Sequence, residues 1–132
     1  MPARILIVED EILIAIELEN ILEDLGHEPA GIVPDLQAAE LYFDEALDLA
    51  LVDLNLRDGL TGPQIGARLG EKGVTVVFIT ANPALLGAGV AGAIGVITKP
   101  TDEDTVKGAI DYALGVREGR PVSPPAALKL FG

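Results

Sequence analysis

Five residues with functional groups suited to phosphate or metal chemistry follow apolar runs of this sequence. They comprise three carboxylates, one hydroxyl and one ammonium group: Glu9, Asp10, Asp53, Thr80 and Lys99. The preceding runs are rich in Val, Ile and Leu, which is typical of strands buried on both faces. One acid after such a run is common in solvated loops, but five such groups after four separate runs indicate a shared site.

Together these groups predict phosphoryl chemistry on a carboxylate. Three clustered carboxylates raise one another's pKa values unless a cation offsets their charge. Mg²⁺ is a hard cation that binds carboxylates, waters and phosphate oxygens, so we predict a Mg²⁺ site in which Mn²⁺ can substitute. Asp53 is then a nucleophile that forms an aspartyl phosphate. Lys99 and the Thr80 hydroxyl are expected to bind phosphoryl oxygens.

The elements that must position these groups alternate along the chain. Apolar runs typical of strands span residues 4–8, 29–33, 49–52, 74–79 and 93–98, and amphipathic stretches separate them. This alternation predicts an α/β fold with a doubly wound, five-stranded parallel sheet. Ligands of such sheets bind outside the carboxyl ends of the strands, which brings the five groups together. We predict one domain over residues 1–118 and a flexible tail over residues 119–132.

The segment between Thr80 and Lys99 is unusually rich in glycine. Gly87, Gly89 and Gly92 all lie where a helix is needed between the last two predicted strands. Each glycine destabilises a helix interior by roughly 1 kcal/mol relative to alanine. We therefore expect the fourth helix to be short or mobile. Residues 87–92 also match the dinucleotide fingerprint G-x-G-x-x-G, but the required strand does not precede them.

Four sequence segments resemble the receiver domain of two-component response regulators. They read Ile-Leu-Ile-Val-Glu-Asp-Glu, Val-Asp-Leu-Asn-Leu, Phe-Ile-Thr-Ala and Thr-Lys-Pro, and the resemblance extends over residues 3–117. It implies a CheY-like, flavodoxin-like fold with strand order 2-1-3-4-5 and about five helices. It also implies that Asp53 is the phosphoacceptor.

The same resemblance implies roles for the residues around Asp53. Metal ligands would be Glu9, Asp10, Asp53 and the backbone carbonyl of Asn55. Thr80 would be the switch hydroxyl, Lys99 the phosphate-binding lysine, and the bond before Pro100 a cis peptide. Asn55 and Asn82 would line the path of water and tune dephosphorylation.

Two features depart from the usual receiver pattern. Val96 stands three residues before Lys99, where receivers usually carry an aromatic ring that reports phosphorylation. A valine cannot swing a ring between buried and exposed states, so the readout is expected to differ. The loop Leu56-Arg57-Asp58-Gly59 replaces the usual Met-Pro and resembles a subgroup served by HWE-type histidine kinases.

The resemblance implies a switch that receives its phosphoryl group from a sensor histidine kinase or a phosphotransferase. It would signal through contacts with an unknown downstream protein as a stand-alone receiver. We expect a switch and not an enzyme, because Asn55 occupies the position of the general-acid aspartate found in phosphatases resembling haloacid dehalogenases. The alternatives are a phosphorylation-independent interaction module, or a receiver from a larger regulator or hybrid kinase.

Composition disfavours several other classes of partner. Nine basic residues against 21 acidic residues give a formal net charge of −12, which opposes binding to nucleic acid or anionic membranes. The chain contains no cysteine, so disulfides and thiolate metal sites are excluded. We expect a cytoplasmic protein that is a monomer or a weak dimer.

Overall fold

Strands and helices alternate through most of the computed structural model, which describes residues 2–131. Met1 is the first residue of the predicted domain and Gly132 is the last residue of the predicted tail. Both lie outside the described residues. The strands are β1 (Arg4–Val8), β2 (Glu28–Val33), β3 (Leu49–Val52), β4 (Thr75–Thr80), β5 (Ala93–Thr98) and β6 (Leu128–Leu130). The α-helices are α1 (Ile12–Asp24), α2 (Leu36–Glu40), α3 (Gly62–Glu71) and α4 (Glu103–Arg117).

The strands form a single sheet in the order β2-β1-β3-β4-β5-β6. The first five strands pair in parallel, and β6 pairs antiparallel with β5. The predicted α/β class, parallel sheet and 2-1-3-4-5 order are therefore confirmed. Within residues 2–131 the sheet has six strands, one more than predicted, and there are four α-helices against the predicted number of about five.

Helices cover both faces of the sheet, which explains why its central strands are almost wholly apolar. All four residues of β3 are buried. Helices α1 and α4 pack on one face, and α2 and α3 pack on the other. Burying a Val, Leu or Ile side chain contributes about 1.5–3 kcal/mol, so these layers hold the strand ends in fixed positions.

The segment between β4 and β5 contains one turn of 3₁₀-helix, Pro83–Leu86. The expectation of a short helix is confirmed, and its mobility stays a prediction. Gly87, Gly89 and Gly92 adopt positive φ angles of 53°, 119° and 87°. An α-helix needs negative φ, so these glycines end the helix and form irregular turns.

The segment predicted as a flexible tail contributes the sixth strand. Leu128–Leu130 pairs with Ile97, Val96 and Gly95 of β5, and the Phe131 amide donates to the Ile94 carbonyl at 2.9 Å. Leu128 is buried, so this strand covers an otherwise open edge of the sheet. Residues 128–130 of the predicted tail therefore form a strand, and the flexibility of residues 119–132 stays a prediction.

Within residues 2–131, no helix combines the length and the apolar character needed to cross a membrane.

Candidate functional site

The carboxyl ends of four parallel strands meet at one edge of the sheet and carry the five predicted groups. Glu9 and Asp10 follow β1, Asp53 follows β3, Thr80 ends β4, and Lys99 comes directly after β5. Backbone hydrogen bonds continue beyond the strands and hold these ends in place. The Glu9 amide donates to Val33 and the Asp53 amide to Val8, at 3.0 and 2.9 Å.

Three of these groups form an acidic cluster. Oxygen atoms of the Glu9, Asp10 and Asp53 carboxylates all lie within 4.8 Å of one another. Glu9 and Asp53 are buried, with 3% and 8% of their surfaces exposed, whereas Asp10 is exposed at the rim. Two carboxylates of the cluster are thus buried and the third faces solvent. This arrangement can hold a metal ion.

The Lys99 ammonium group bridges the two buried carboxylates. Its Nζ donates to Glu9 Oε1 at 2.6 Å and to Asp53 Oδ2 at 3.0 Å. The other oxygen of Asp53, Oδ1, accepts from the Leu54 amide at 2.7 Å. Three ionised carboxylates and one ammonium leave a formal charge of −2 at the site, which favours a divalent cation.

Burial and this charge imbalance change the protonation of the site. Burial is the main cause that raises the pKa of Glu9 from 4.5 to about 7, and the Asp53 carboxylate adds to the rise. The hydrogen bond from Lys99 opposes it without cancelling it. Burial lowers the pKa of Lys99, but hydrogen bonds to Glu9 and Asp53 outweigh this effect and raise it overall. Glu9 therefore exchanges a proton near neutral pH, while Lys99 stays charged.

Thr80 lies at the end of β4 and is fully buried. Its hydroxyl oxygen accepts from the Asn82 amide at 3.1 Å, and its carbonyl accepts from the Lys99 amide at 2.8 Å. The Lys99–Pro100 peptide bond is cis. Thr80 therefore connects the site both to the loop after β4 and to the end of β5.

The other predicted residues differ from this group in their burial or in their place in the fold. Asn55 and Asn82 are exposed on the loops that follow β3 and β4. Val96 lies within β5 and is buried in the same apolar cluster as Phe78 and Leu86. The two side-chain amides are thus accessible to solvent on these loops, and the atypical valine belongs to the core.

Sequence reasoning missed an ion pair that anchors the loop after β3. The Arg57 guanidinium donates through Nε and Nη2 to Asp35 at the start of α2. Asp58 accepts from the Leu36 amide at 3.1 Å and from the Thr61 hydroxyl at 2.6 Å. The Ala38 amide and the Arg57 side chain lower the pKa of Asp35. The partners are 22 residues apart along the chain, and no local pattern marks them.

Gly62 is a second residue that sequence reasoning missed. A Cβ atom at this position would lie 2.0 Å from the Asp53 carbonyl oxygen and 2.5 Å from the Leu54 Cα. The Gly62 amide also donates to the Leu54 carbonyl at 3.0 Å. The start of α3 therefore packs directly against the backbone of Asp53. Only a residue without a side chain fits there.

Residues 5–111 match the family model of the response regulator receiver domain. The chain belongs to this family. Receiver domains act in two-component signalling, and the matched range includes the strand-end acids, hydroxyl and lysine described above.

Several relatives of this receiver are known. It is 37% identical over 119 residues to the phyllosphere-induced regulator PhyR of Methylorubrum extorquens, covering 86% of this chain and 44% of that protein. It is 29% identical to sporulation initiation phosphotransferase F of Bacillus subtilis, covering 89% and 98%. The solution structure of the PhyR receiver domain from Erythrobacter litoralis aligns with a TM-score of 0.76 at 36% identity, covering 95% and 96%. The chain spans about half the length of the first curated relatives it matches.

The raised pKa of Glu9 predicts a pH-dependent stability of the receiver. The folded state holds this proton more tightly than the unfolded state, so the stabilisation is complete below pH 4.5 and is lost as the pH rises through about 7. In metal-free buffer, the free energy of unfolding of the wild type should fall by at most about 3 kcal/mol over this range. Glu9→Gln should remove this decrease. Urea unfolding at a series of pH values measures it.

Glu23→Gln, which removes an exposed carboxylate of α1, is the matched control and should keep the wild-type pH dependence. An identical pH dependence for wild type and Glu9→Gln would contradict the assignment of this proton to Glu9.

The close approach of Gly62 predicts that Gly62→Ala destabilises the receiver. The added methyl group must displace backbone, and overpacking of this kind costs about 1–3 kcal/mol. Gly108→Ala provides the control, because its Cβ would meet Pro125 at an ordinary distance of 3.4 Å in a helix where alanine is favoured. Urea unfolding of both variants tests the prediction, which fails if Gly62→Ala is as stable as Gly108→Ala.

Proposed function

We propose that this receiver accepts a phosphoryl group on Asp53 from a histidine kinase or a phosphotransferase, in a reaction that depends on Mg²⁺. The single observation that carries this proposal is the position of the Asp53 carboxylate. It is buried between Lys99, which can bind phosphate, and two further carboxylates that can bind a metal ion. The phosphorylated receiver then acts through contacts with another protein.

The donor set suits Mg²⁺. Glu9, Asp10 and Asp53 offer oxygen ligands around a formal charge of −2, and the backbone carbonyl of Asn55 completes the proposed protein ligands. Bound Mg²⁺ neutralises charge that builds up on a phosphoryl group during transfer. Mn²⁺ offers the same preference for oxygen ligands and is expected to substitute.

The chain's own residues orient the acceptor and stabilise the product. The Leu54 amide fixes the Asp53 carboxylate through Oδ1. A bond forms between a carboxylate oxygen and phosphorus as the bond from phosphorus to the donor nitrogen breaks. Lys99 then moves from the two carboxylates to a phosphoryl oxygen, and the Thr80 hydroxyl turns from the Asn82 amide to donate to another.

We propose that the receiver is a switch whose phosphoryl group leaves slowly. Asn55 lies two residues after Asp53, and its amide cannot supply a proton to a leaving group. Asn55 and Asn82 are both exposed on the loops that follow β3 and β4, where they can orient an approaching water. These two side chains would thus tune the lifetime of the aspartyl phosphate without making the chain an enzyme.

An exposed apolar patch indicates where the phosphodonor docks. Ile12, Leu13 and Ile16, in the first turns of α1, are 61%, 76% and 41% exposed. They begin two residues after Asp10, which lies at the rim of the site. A donor histidine must approach Asp53 over this rim, so a partner with an apolar, preferably helical, surface fits beside it.

Substitution of Asp53 tests the central proposal. With Mg²⁺ and acetyl phosphate, the wild-type chain should gain the mass of one phosphoryl group, and Asp53→Asn should gain none. Asp58→Asn is the control because it alters another aspartate of the same loop, and it should still be phosphorylated. Labelling that persists in Asp53→Asn, or that is unchanged by EDTA, would contradict the proposal. No labelling of the wild type would favour the phosphorylation-independent interaction module.

The docking patch is tested with Leu13→Ser. This variant should be phosphorylated by acetyl phosphate at the wild-type rate but more slowly by an HWE-type histidine kinase that phosphorylates the wild type. Leu41→Ser is the matched control, since Leu41 is equally exposed, at 78%, but lies at the end of α2. Equal kinase rates for the two variants would place the docking surface elsewhere.

A further inference from the structure

The C-terminal strap, which we define as residues 120–131, runs from the end of α4 across β5. It begins with the Arg120 amide, which donates to the Gly115 carbonyl at 2.8 Å. It continues through β6 and ends with Phe131, whose amide donates to Ile94. The strap therefore covers the outer edge of β5, the strand that Lys99 follows.

Three glycines of the domain lie directly against this strap. A Cβ at Gly115 would lie 2.5 Å from Val122 Cγ1, and one at Gly95 would lie 2.4 Å from the Lys129 carbonyl oxygen. A Cβ at Gly89 would lie 2.7 Å from the Phe131 ring. Glycine is unfavourable inside a helix or a strand. Gly115 in α4 and Gly95 in β5 therefore fit the strap at the expense of local stability.

The strap contacts both strands that carry phosphate-binding side chains. The Phe131 ring packs against Phe78, with centroids 6.4 Å apart, and Phe78 lies two residues before Thr80 in β4. Leu128 pairs with Ile97, two residues before Lys99. Phe131 also packs on the apolar cluster that buries Val96. The strap thus supplies an aromatic ring to the cluster in which residue 96 provides none.

A hydrogen bond connects the site to the loop segment that contacts Phe131. The Thr80 hydroxyl accepts from the Asn82 amide and so fixes the start of the segment that contains Gly89. Gly89 in turn lies against the Phe131 ring. If Thr80 turned toward a phosphoryl group, Asn82 would lose this acceptor, and the segment that contains Gly89 would be held less firmly against Phe131.

We propose that the C-terminal strap is the output element of this receiver: it is docked while Asp53 is unmodified and is released when Asp53 carries a phosphoryl group. This inference rests on the proposed function at Asp53. Release uncovers the outer edge of β5 and the face of α4 near Gly115.

Amide hydrogen exchange of the full chain tests the release. The Phe131 amide reports docking, because it donates to the Ile94 carbonyl, and the Leu51 amide in β3 reports global opening. Addition of Mg²⁺ and beryllium fluoride, an analogue of the phosphoryl group, should speed exchange at Phe131 by roughly tenfold or more while Leu51 stays unchanged. In Asp53→Asn, the same addition should leave exchange unchanged at both Phe131 and Leu51.

Matched glycine variants test the reciprocal coupling. Gly115→Ala displaces Val122, whereas Gly108→Ala, in the same helix, leaves Pro125 at an ordinary contact distance. Because coupling is reciprocal, a weakened strap should tighten binding of beryllium fluoride, by about fivefold or more. Gly108→Ala should bind like the wild type. Gly95→Ala displaces the strap from the β5 side and should match Gly115→Ala.

The possible results separate the two proposals. If beryllium fluoride shifts the NMR signals of Thr80 and Lys99 but exchange at Phe131 stays constant, the strap proposal is overturned and the proposed function stands. Phe131 exchange as fast as in an unstructured peptide before addition also overturns it. If the wild type does not bind beryllium fluoride at all, the proposed function fails and the strap proposal fails with it.

Discussion

The contact between Lys99 and the carboxylates of Glu9 and Asp53 is the interaction on which the site depends. Burying a carboxylate without a partner costs several kcal/mol, and here two share one ammonium group at 2.6 and 3.0 Å. The three side chains come from the ends of β1, β3 and β5. The contact therefore forms only if the strands of the parallel sheet pair in the observed order and register.

One ammonium group offsets the charge of only one of the three carboxylates. The site therefore carries an excess of negative charge. Burial raises the pKa of Glu9 to about 7, so a proton relieves part of the charge near neutral pH. A divalent cation can relieve it more completely, which would free Lys99 to change partners. The same imbalance that weakens the folded state would thus prepare the site for the proposed phosphoryl group.

The sequence allowed prediction of the sheet and of the strand-end groups because both depend on local patterns. A buried parallel strand reads as an apolar run, and its carboxyl end is the next polar residue, as at Asp53 and Thr80. The remaining features depend on contacts distant along the chain. Arg57 pairs with Asp35 across 22 residues, and nothing near Gly62 reveals that it faces the Asp53 carbonyl. The three residues of β6 were too few to identify a strand.

Val96 and Phe131 illustrate how a structural role can move along the sequence. Receivers usually carry an aromatic ring at the position of Val96; here a buried valine stands there, and Phe131 packs on the same apolar cluster. A ring at that position would signal by a change of rotamer, whereas the proposed release moves Phe131 together with β6. The proposed release would therefore also break the hydrogen bond from the Phe131 amide to the Ile94 carbonyl. Because more contacts are exchanged in one step, a signal carried by the strap would be larger than one carried by a single rotamer.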